Sequence, residues 1–186
     1  MGLELRELIL RFKMHKIFLA VGSNICRRLA FTHAYLKLQE FVTITKASKI
    51  YVSTPRGHAR GPQFYNSVLA GESALELLEL KARLKALESS LGRELWISPS
   101  GEKCSLRLLD IDILTYDEVV SSDPELPRSD IHKYDFVLRP LAEIAPLELL
   151  PGSNLTYEAL ATQSTLPLKE LKAVPFMGEH LILNLN

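Results

Sequence analysis

The sequence predicts an α+β fold, a ferredoxin-like antiparallel sheet with helices on one face plus a C-terminal extension. Three observations lead there. Short apolar or β-branched runs begin near Ile17, Thr43, Phe64 and Asp110, two helical patterns lie among them, and the order over residues 17–116 is β-α-β-β-α-β, that of a split βαβ unit. At 186 residues, 47% of them hydrophobic and 24% charged, the chain can bury one ordinary core. Residues 14–186 are expected to form that single domain, with residues 1–13 as an N-terminal extension outside it.

Each element has its own signal. Ile17–Val21 is a short apolar run stopped by Gly22, Ser23 and Asn24, which reads as a buried strand entering a turn. Leu29, Ala30, Ala34, Leu36, Leu38 and Phe41 give the next stretch an amphipathic helical pattern. Thr43–Val52 alternates and is β-branched, so it is expected as one strand. The Gly- and Pro-rich run 53–62 must be a loop, and its arginines and histidine make it basic. Phe64–Ser73 returns as a strand with Phe64, Asn66, Val68 and Ala70 on one face. Asn66 on that apolar face is either a satisfied core residue or a reader of a ligand. Leu75, Leu78, Ala82, Leu84 and Leu87 mark a helix over 74–91 that Gly92 ends.

Trp96–Ser105 has no periodicity and reads as a mobile loop, the place for a lid before the strand that follows. Beyond Tyr116 the chain reads as irregular through Pro124 and Pro127. Residues 136–146 read as a short strand and then a short helix from Pro140, 155–161 as another helix, and 181–185 as a strand.

Composition excludes more than it selects. Lys+Arg and Asp+Glu both number 22, so no overall field draws the chain to nucleic acid or a membrane surface. No apolar run has the length of a membrane span. Cys26 and Cys104 form no CxxC or Cys/His pattern, which points to a reducing, cytoplasmic setting without zinc or disulfides.

The stretch that carries chemistry is Arg107-Leu108-Leu109-Asp110-Ile111-Asp112-Ile113-Leu114. Side chains two apart on a strand share a face, so Asp110 and Asp112 stand together while Ile111 and Ile113 face the other way. Paired carboxylates repel unless a cation sits between them, and hard Mg²⁺ with phosphate as co-ligand is a standard solution. A solvated acidic face on an edge strand is the alternative. Arg107 is at odd spacing from Asp110 and needs a bend in the chain to join the same site.

These pieces together resemble the 6-hydroxymethyl-7,8-dihydropterin pyrophosphokinases of folate biosynthesis. The carriers are Val21-Gly22-Ser23-Asn24, Ser53-Thr54-Pro55, Gly61-Pro62-Gln63-Phe64-Tyr65-Asn66, Leu87-Glu88 with Leu91-Gly92-Arg93, the acidic strand, and residues 136–146, all in the family's order. The resemblance implies transfer of pyrophosphate from ATP to the pterin hydroxymethyl group, leaving AMP. It implies Asp110 and Asp112 as ligands of two Mg²⁺ ions, with Arg93 and Arg107 beside them in the catalytic set. Thr54, Pro55, Phe64, Asn66 and Phe136 are implied for the pterin, Phe64 and Phe136 as a sandwich. Glu88, Arg93, Arg107, Ile113, Arg128 and Lys133 are expected around ATP. The partners expected are these two small molecules, in a monomer.

The sequence departs from the family in Pro127-Arg128-Ser129-Asp130-Ile131-His132-Lys133-Tyr134. The family's first histidine is Arg128 here, and its last arginine is Tyr134; both family residues contact ATP phosphates. Asp123 and Glu125 stand where the family is basic or hydroxylic, and Glu102-Lys103-Cys104-Ser105 replaces a Trp-Gly-Pro-like loop. The pterin side and the acids are kept while part of the ATP side is rewritten. That leaves open a paralog with another donor or acceptor, or a non-catalytic pterin-binding protein.

Overall fold

The computed structural model describes residues 13–54, 62–91, 93–97, 103–164 and 173–174; for 93–97, 103–107 and 173–174 the description is of the backbone. The elements are β1 (His15–Ser23), α1 (Arg27–Leu38), β2 (Thr43–Ala47), β3 (Ile50–Ser53), β4 (Phe64–Ser73), α2 (Leu77–Leu91), β5 (Arg93–Ile97), β6 (Lys103–Arg107) and β7 (Asp110–Tyr116). There follow β8 (Ser121–Ser122), β9 (Glu125–Leu126), α3 (Asp130–Lys133), α4 (Asp135–Ile144), α5 (Tyr157–Gln163) and β10 (Ala173–Val174). The main sheet runs β10-β3-β4-β1-β7, with β2 also paired to β4, and every pairing is antiparallel. This is the strand order expected of a split βαβ unit.

Alternation along β1 divides the core in two. Ile17, Leu19 and Val21 face α1 and α2, whose Phe31, Ala34, Tyr35, Leu38, Leu80, Leu84 and Leu87 close over them. Phe18 faces the other way, with Val68, Ala70 and Leu114, and is covered by α4 and α5 through Val137, Leu138, Leu141, Ile144 and Tyr157. The crossover helices thus take one face of the sheet, and the C-terminal part of the chain covers the other.

The two crossover helices are rotated relative to the apolar stripes read from sequence. Leu29 and Leu36 of α1 and Leu78 of α2 are exposed, at 71%, 49% and 70%. Leucine-rich helices offer more than one stripe, and in α2 the seam Leu80-Leu84-Leu87 wins because it faces β1 and β7.

Four further expectations change. The strand expected over 43–52 is two strands. Buried Ser48 interrupts it: its backbone N–H donates to the Val68 carbonyl at 2.9 Å while its hydroxyl accepts the Val68 N–H at 2.9 Å. A side chain thereby takes a place in the ladder, and the backbone steps out of register. The region 96–105 is not an aperiodic loop. β5 and β6 form a ribbon from Arg93↔Arg107 to Ile97↔Lys103, separate from the main sheet, so no wide sheet face imposes alternation on it. Residues 98–102 within that expectation lie outside the described residues.

Residues 136–144 form no strand. α4 is continuous from Asp135 to Ile144 with Pro140 inside it. Val137, Leu141 and Ile144 recur at helical spacing and are buried, and their burial outweighs the hydrogen bond that Pro140 cannot donate to the Phe136 carbonyl. Beyond Tyr116 a small β8–β9 hairpin and the α3 turn replace the irregular linker, with cis peptides before Pro124 and Pro127. The helix expected at 155–161 is α5. The strand expected at 181–185, residues 1–12 of the extension expected over 1–13 and residues 55–61 of the loop expected over 53–62 lie outside the described residues; Ser53, expected in that loop, ends β3.

Candidate active site

β7 is the outer strand at one end of the main sheet, so it can be approached from both faces. Its alternation sends Ile111 into the α1/α2 core, while Asp110, Asp112 and Leu114 look towards the α4 side. A cavity of about 410 Å³ opens on that side, lined by Gly22, Ser53, Thr54, Phe64, Asn66, Tyr134 and Phe136. A second cavity of about 280 Å³ lies towards α2, lined by Lys81, Lys85, Glu88, Ile113, Asp123 and Glu125. Asp110, Asp112 and Arg128 line both. The two hollows therefore meet around the acidic strand.

An edge strand presents unpaired backbone groups, and here two site residues take them. Glu88 Oε1 accepts the Ile111 N–H at 2.7 Å, and the Arg128 N–H donates to the Leu114 carbonyl at 2.8 Å. Glu88 holds α2 to the backbone between the two aspartates, and its other oxygen pairs with Lys85 at 3.0 Å. Arg128 is anchored along the outer rim of β7. Its guanidinium then reaches Asp112 (Nη2 to Oδ1, 3.2 Å) and Asp130 (Nε to Oδ2, 2.8 Å).

The acids strain one another. Burial pushes the Asp112 carboxyl up from the usual 3.8 to about 6, and Asp110 adds to the rise; Arg128 opposes it, while Asp130 and Glu88 raise it further. Burial works against the charge of Arg128, but Asp112, Asp130 and Asp110 outweigh it and hold the guanidinium above its usual pKa.

In the larger cavity, Asn66 is buried and its amide nitrogen donates to the Tyr51 carbonyl (3.2 Å) and to Ser53 Oγ (2.9 Å). Those bonds fix the amide, and its Oδ1 faces Gly22, where a Cβ would lie 3.6 Å away. The amide nitrogen of Asn66 is thus satisfied by the protein, while the residue lies in the wall of the cavity. Phe64 and Phe136 both line this cavity. Tyr134 stacks on Phe136 with centroids 5.1 Å apart and rings 12° from parallel. Sequence reasoning marked Tyr134 only as a lost arginine, although an aromatic two residues from Phe136 on a helix start was a signal for a second ring.

Residues 18–146 match the family model described as 7,8-dihydro-6-hydroxymethylpterin-pyrophosphokinase (HPPK). The chain belongs to this family. It is 35% identical over 156 residues to the 2-amino-4-hydroxy-6-hydroxymethyldihydropteridine pyrophosphokinase of Aquifex aeolicus, covering 82% of this chain and 94% of that one. The protein of the same name from Haemophilus influenzae is 34% identical over 146 residues, covering 76% and 88%. The fold is similar to that of a Plasmodium falciparum HPPK-DHPS triple mutant crystallised with SDX-DHP. That match has a TM-score of 0.66 at 14% identity and covers 88% of this chain and 47% of that one.

The donor set suits the hard divalent ion that this family's phosphoryl chemistry implies. Asp110 and Asp112 would offer oxygen ligands from one strand face, and a dication would favour the ionised Asp112 that burial, and then Asp110, disfavour. Among the described residues no cluster of three or more acidic, His or Cys side chains is positioned for a metal. A pair of carboxylates suits a hard ion such as Mg²⁺, which usually keeps water and phosphate among its ligands.

The expected site residues divide clearly. Thr54, Phe64, Asn66, Phe136, Asp110, Asp112, Arg128, Glu88 and Ile113 line one or both cavities. Arg93 and Arg107 are register partners at the base of the β5–β6 ribbon, and the chain leaves the ribbon at Leu108–Leu109 before entering β7. That break separates Arg107 from the strand that carries Asp110. Pro55 lies outside the described residues. Lys133 is not brought in: its ammonium donates to Ser129 Oγ at 2.6 Å, one turn back on the exposed side of α3. Asp130, Lys81, Lys85 and Ser53 were missed, because a lone polar residue on a helix turn, an exposed helix face or a strand end carries no pattern.

Proposed function

We propose that this chain transfers the β,γ-pyrophosphate of ATP to the hydroxymethyl group of 6-hydroxymethyl-7,8-dihydropterin, releasing AMP. The observation that carries the reading is the meeting of two cavities, one aromatic and one charged, at Asp110, Asp112 and Arg128. Family membership supports it, since relatives carry the pyrophosphokinase name.

In this reading the pterin lies between Phe64 and Phe136, with Thr54 in the same cavity wall, and offset stacking holds the flat ring. The Asn66 carbonyl oxygen accepts from the ring edge, its orientation set by Tyr51 and Ser53. ATP occupies the second cavity against Ile113, with Lys81, Lys85 and Arg128 offering charge to its phosphates. Arg93 and Arg107, at the base of the ribbon, belong to the same phosphate set. Asp110 and Asp112 would hold two Mg²⁺ ions, which would supply positive charge to the phosphate oxygens and the acceptor hydroxyl. The hydroxymethyl oxygen forms the new bond to the β-phosphorus, the α–β bridging bond breaks, AMP leaves with the bridging oxygen and the alcohol proton is released. What the chain contributes is alignment of the two substrates and charge at the join. Glu88 contributes indirectly, by pinning Ile111 and with it the spacing of the two aspartates.

The test is AMP formation from ATP and Mg²⁺ with and without the pterin alcohol. Pterin-dependent AMP is expected; a folded chain that makes none refutes the reading. A second reading, with a different phosphoryl donor, draws on Asp123 and Glu125 in the wall of the nucleotide cavity. It requires turnover with another nucleoside triphosphate to exceed that with ATP.

A further inference from the structure

Arg128 touches one of the two candidate metal ligands directly. Its Nη2 lies 3.2 Å from Asp112 Oδ1, while its Nε is held by Asp130 Oδ2 at 2.8 Å. Its backbone is fixed independently by the Leu114 carbonyl, so the side chain approaches from a stationary root. The guanidinium therefore has two separate holds, one on the strand acid and one on an acid of its own turn. It also lines both cavities, at the passage between them.

We propose that Arg128 is a resident counter-ion of the acidic pair, exchanged for the divalent ion when that ion and the nucleotide arrive. The proposal rests on the reading of Asp110 and Asp112 as metal ligands. The guanidinium lies against Asp112 Oδ1. A dication on that oxygen would sit within a few ångströms of a second positive charge, so the two do not share it. An arginine cannot leave by losing its proton, so the exchange is a movement. Asp130 makes that movement short, because it keeps hold of Nε while the Nη end turns from Asp112 towards the second cavity. There the same charge meets the phosphates that come with the metal. A histidine at this position could empty the site by deprotonation; an arginine makes metal loading and phosphate capture one coupled step.

The test reads metal binding without turnover. Mn²⁺ is titrated into the full chain by calorimetry or by the electron paramagnetic resonance of free Mn²⁺, for wild type, R128A and R128K, with and without a non-hydrolysable ATP analogue. Asp112→Asn identifies the binding event as the one at the acidic pair. Without nucleotide, R128A is expected to bind Mn²⁺ about fivefold more tightly, the scale of a half-exposed ion pair. R128K, which keeps the charge but loses the double hold, is expected between the two. With the analogue present the advantage of R128A disappears, because the phosphates lose a contact. Equal or weaker Mn²⁺ binding by nucleotide-free R128A overturns the exchange while leaving the metal reading intact. If no protein binds Mn²⁺ even with the analogue, the exchange and the metal reading fall together.

Discussion

Asp112 offers the sharpest test of the site, because its chemistry and its stability point in opposite directions. Burial and Asp110 favour its neutral form, lifting the carboxyl from 3.8 to about 6 despite Arg128. A carboxyl raised in the folded state destabilises the fold when ionised. The penalty is absent below the unfolded value, grows as pH rises between the two values, and is complete above about 6. At roughly 1.4 kcal/mol per pH unit the interval is worth about 3 kcal/mol. The side chain is 34% exposed and water screens it, so about 1 kcal/mol is the realistic gain from removing the charge. Asp112→Asn should therefore raise the melting temperature of the metal-free chain by about 2–4 °C at about pH 7.5. The gain should shrink as pH falls towards 4 and vanish there, while pyrophosphoryl transfer is lost at every pH. Thermal or urea unfolding in chelator across that range measures it. A variant no more stable than wild type at neutral pH, or one whose advantage ignores pH, refutes the electrostatic account.

Other perturbations separate positioning from contact. Glu88→Ala frees the Ile111 N–H and should cost about 1–3 kcal/mol, speed exchange of that amide and reduce turnover; Glu88→Gln, which keeps an acceptor, should restore most of it. Unaltered exchange at Ile111 in the alanine variant would remove Glu88 from that role. Asn66→Ala should abolish quenching of pterin fluorescence and cost about 1–2 kcal/mol, because two bonds to β3 go with the amide. Asp110→Ala should end AMP formation yet leave that quenching largely in place, which separates ring recognition from transfer. Leu141→Ala, at a fully buried position on the inner face of α4, should cost about 2–5 kcal/mol by urea unfolding without altering any residue at the cavities.

Much of this protein is legible in one dimension, for a local reason. Strand alternation alone puts Asp110 and Asp112 on one face and Ile111 on the other, and places Asn66 with Val68 and Ala70. Turn residues and helical spacing give the order of strand and helix from β1 to α2, although the strand expected over 43–52 is two. The acids and the aromatic pair carry the family resemblance before any coordinate is known.

What the sequence could not decide is whatever depends on a partner distant in the chain. The stripe that α2 buries depends on β1 and β7. Continuous helix through Pro140 depends on the sheet face beneath it. The fates of Glu88 and Lys133 differ because one meets a backbone N–H on an edge strand and the other meets only its own turn. Arg128 reaches Asp112 because the chain returns along the rim of β7. Local patterning fixes which side chains are offered. Long-range packing fixes which of them meet, because contact energies between distant segments appear only once the chain is closed.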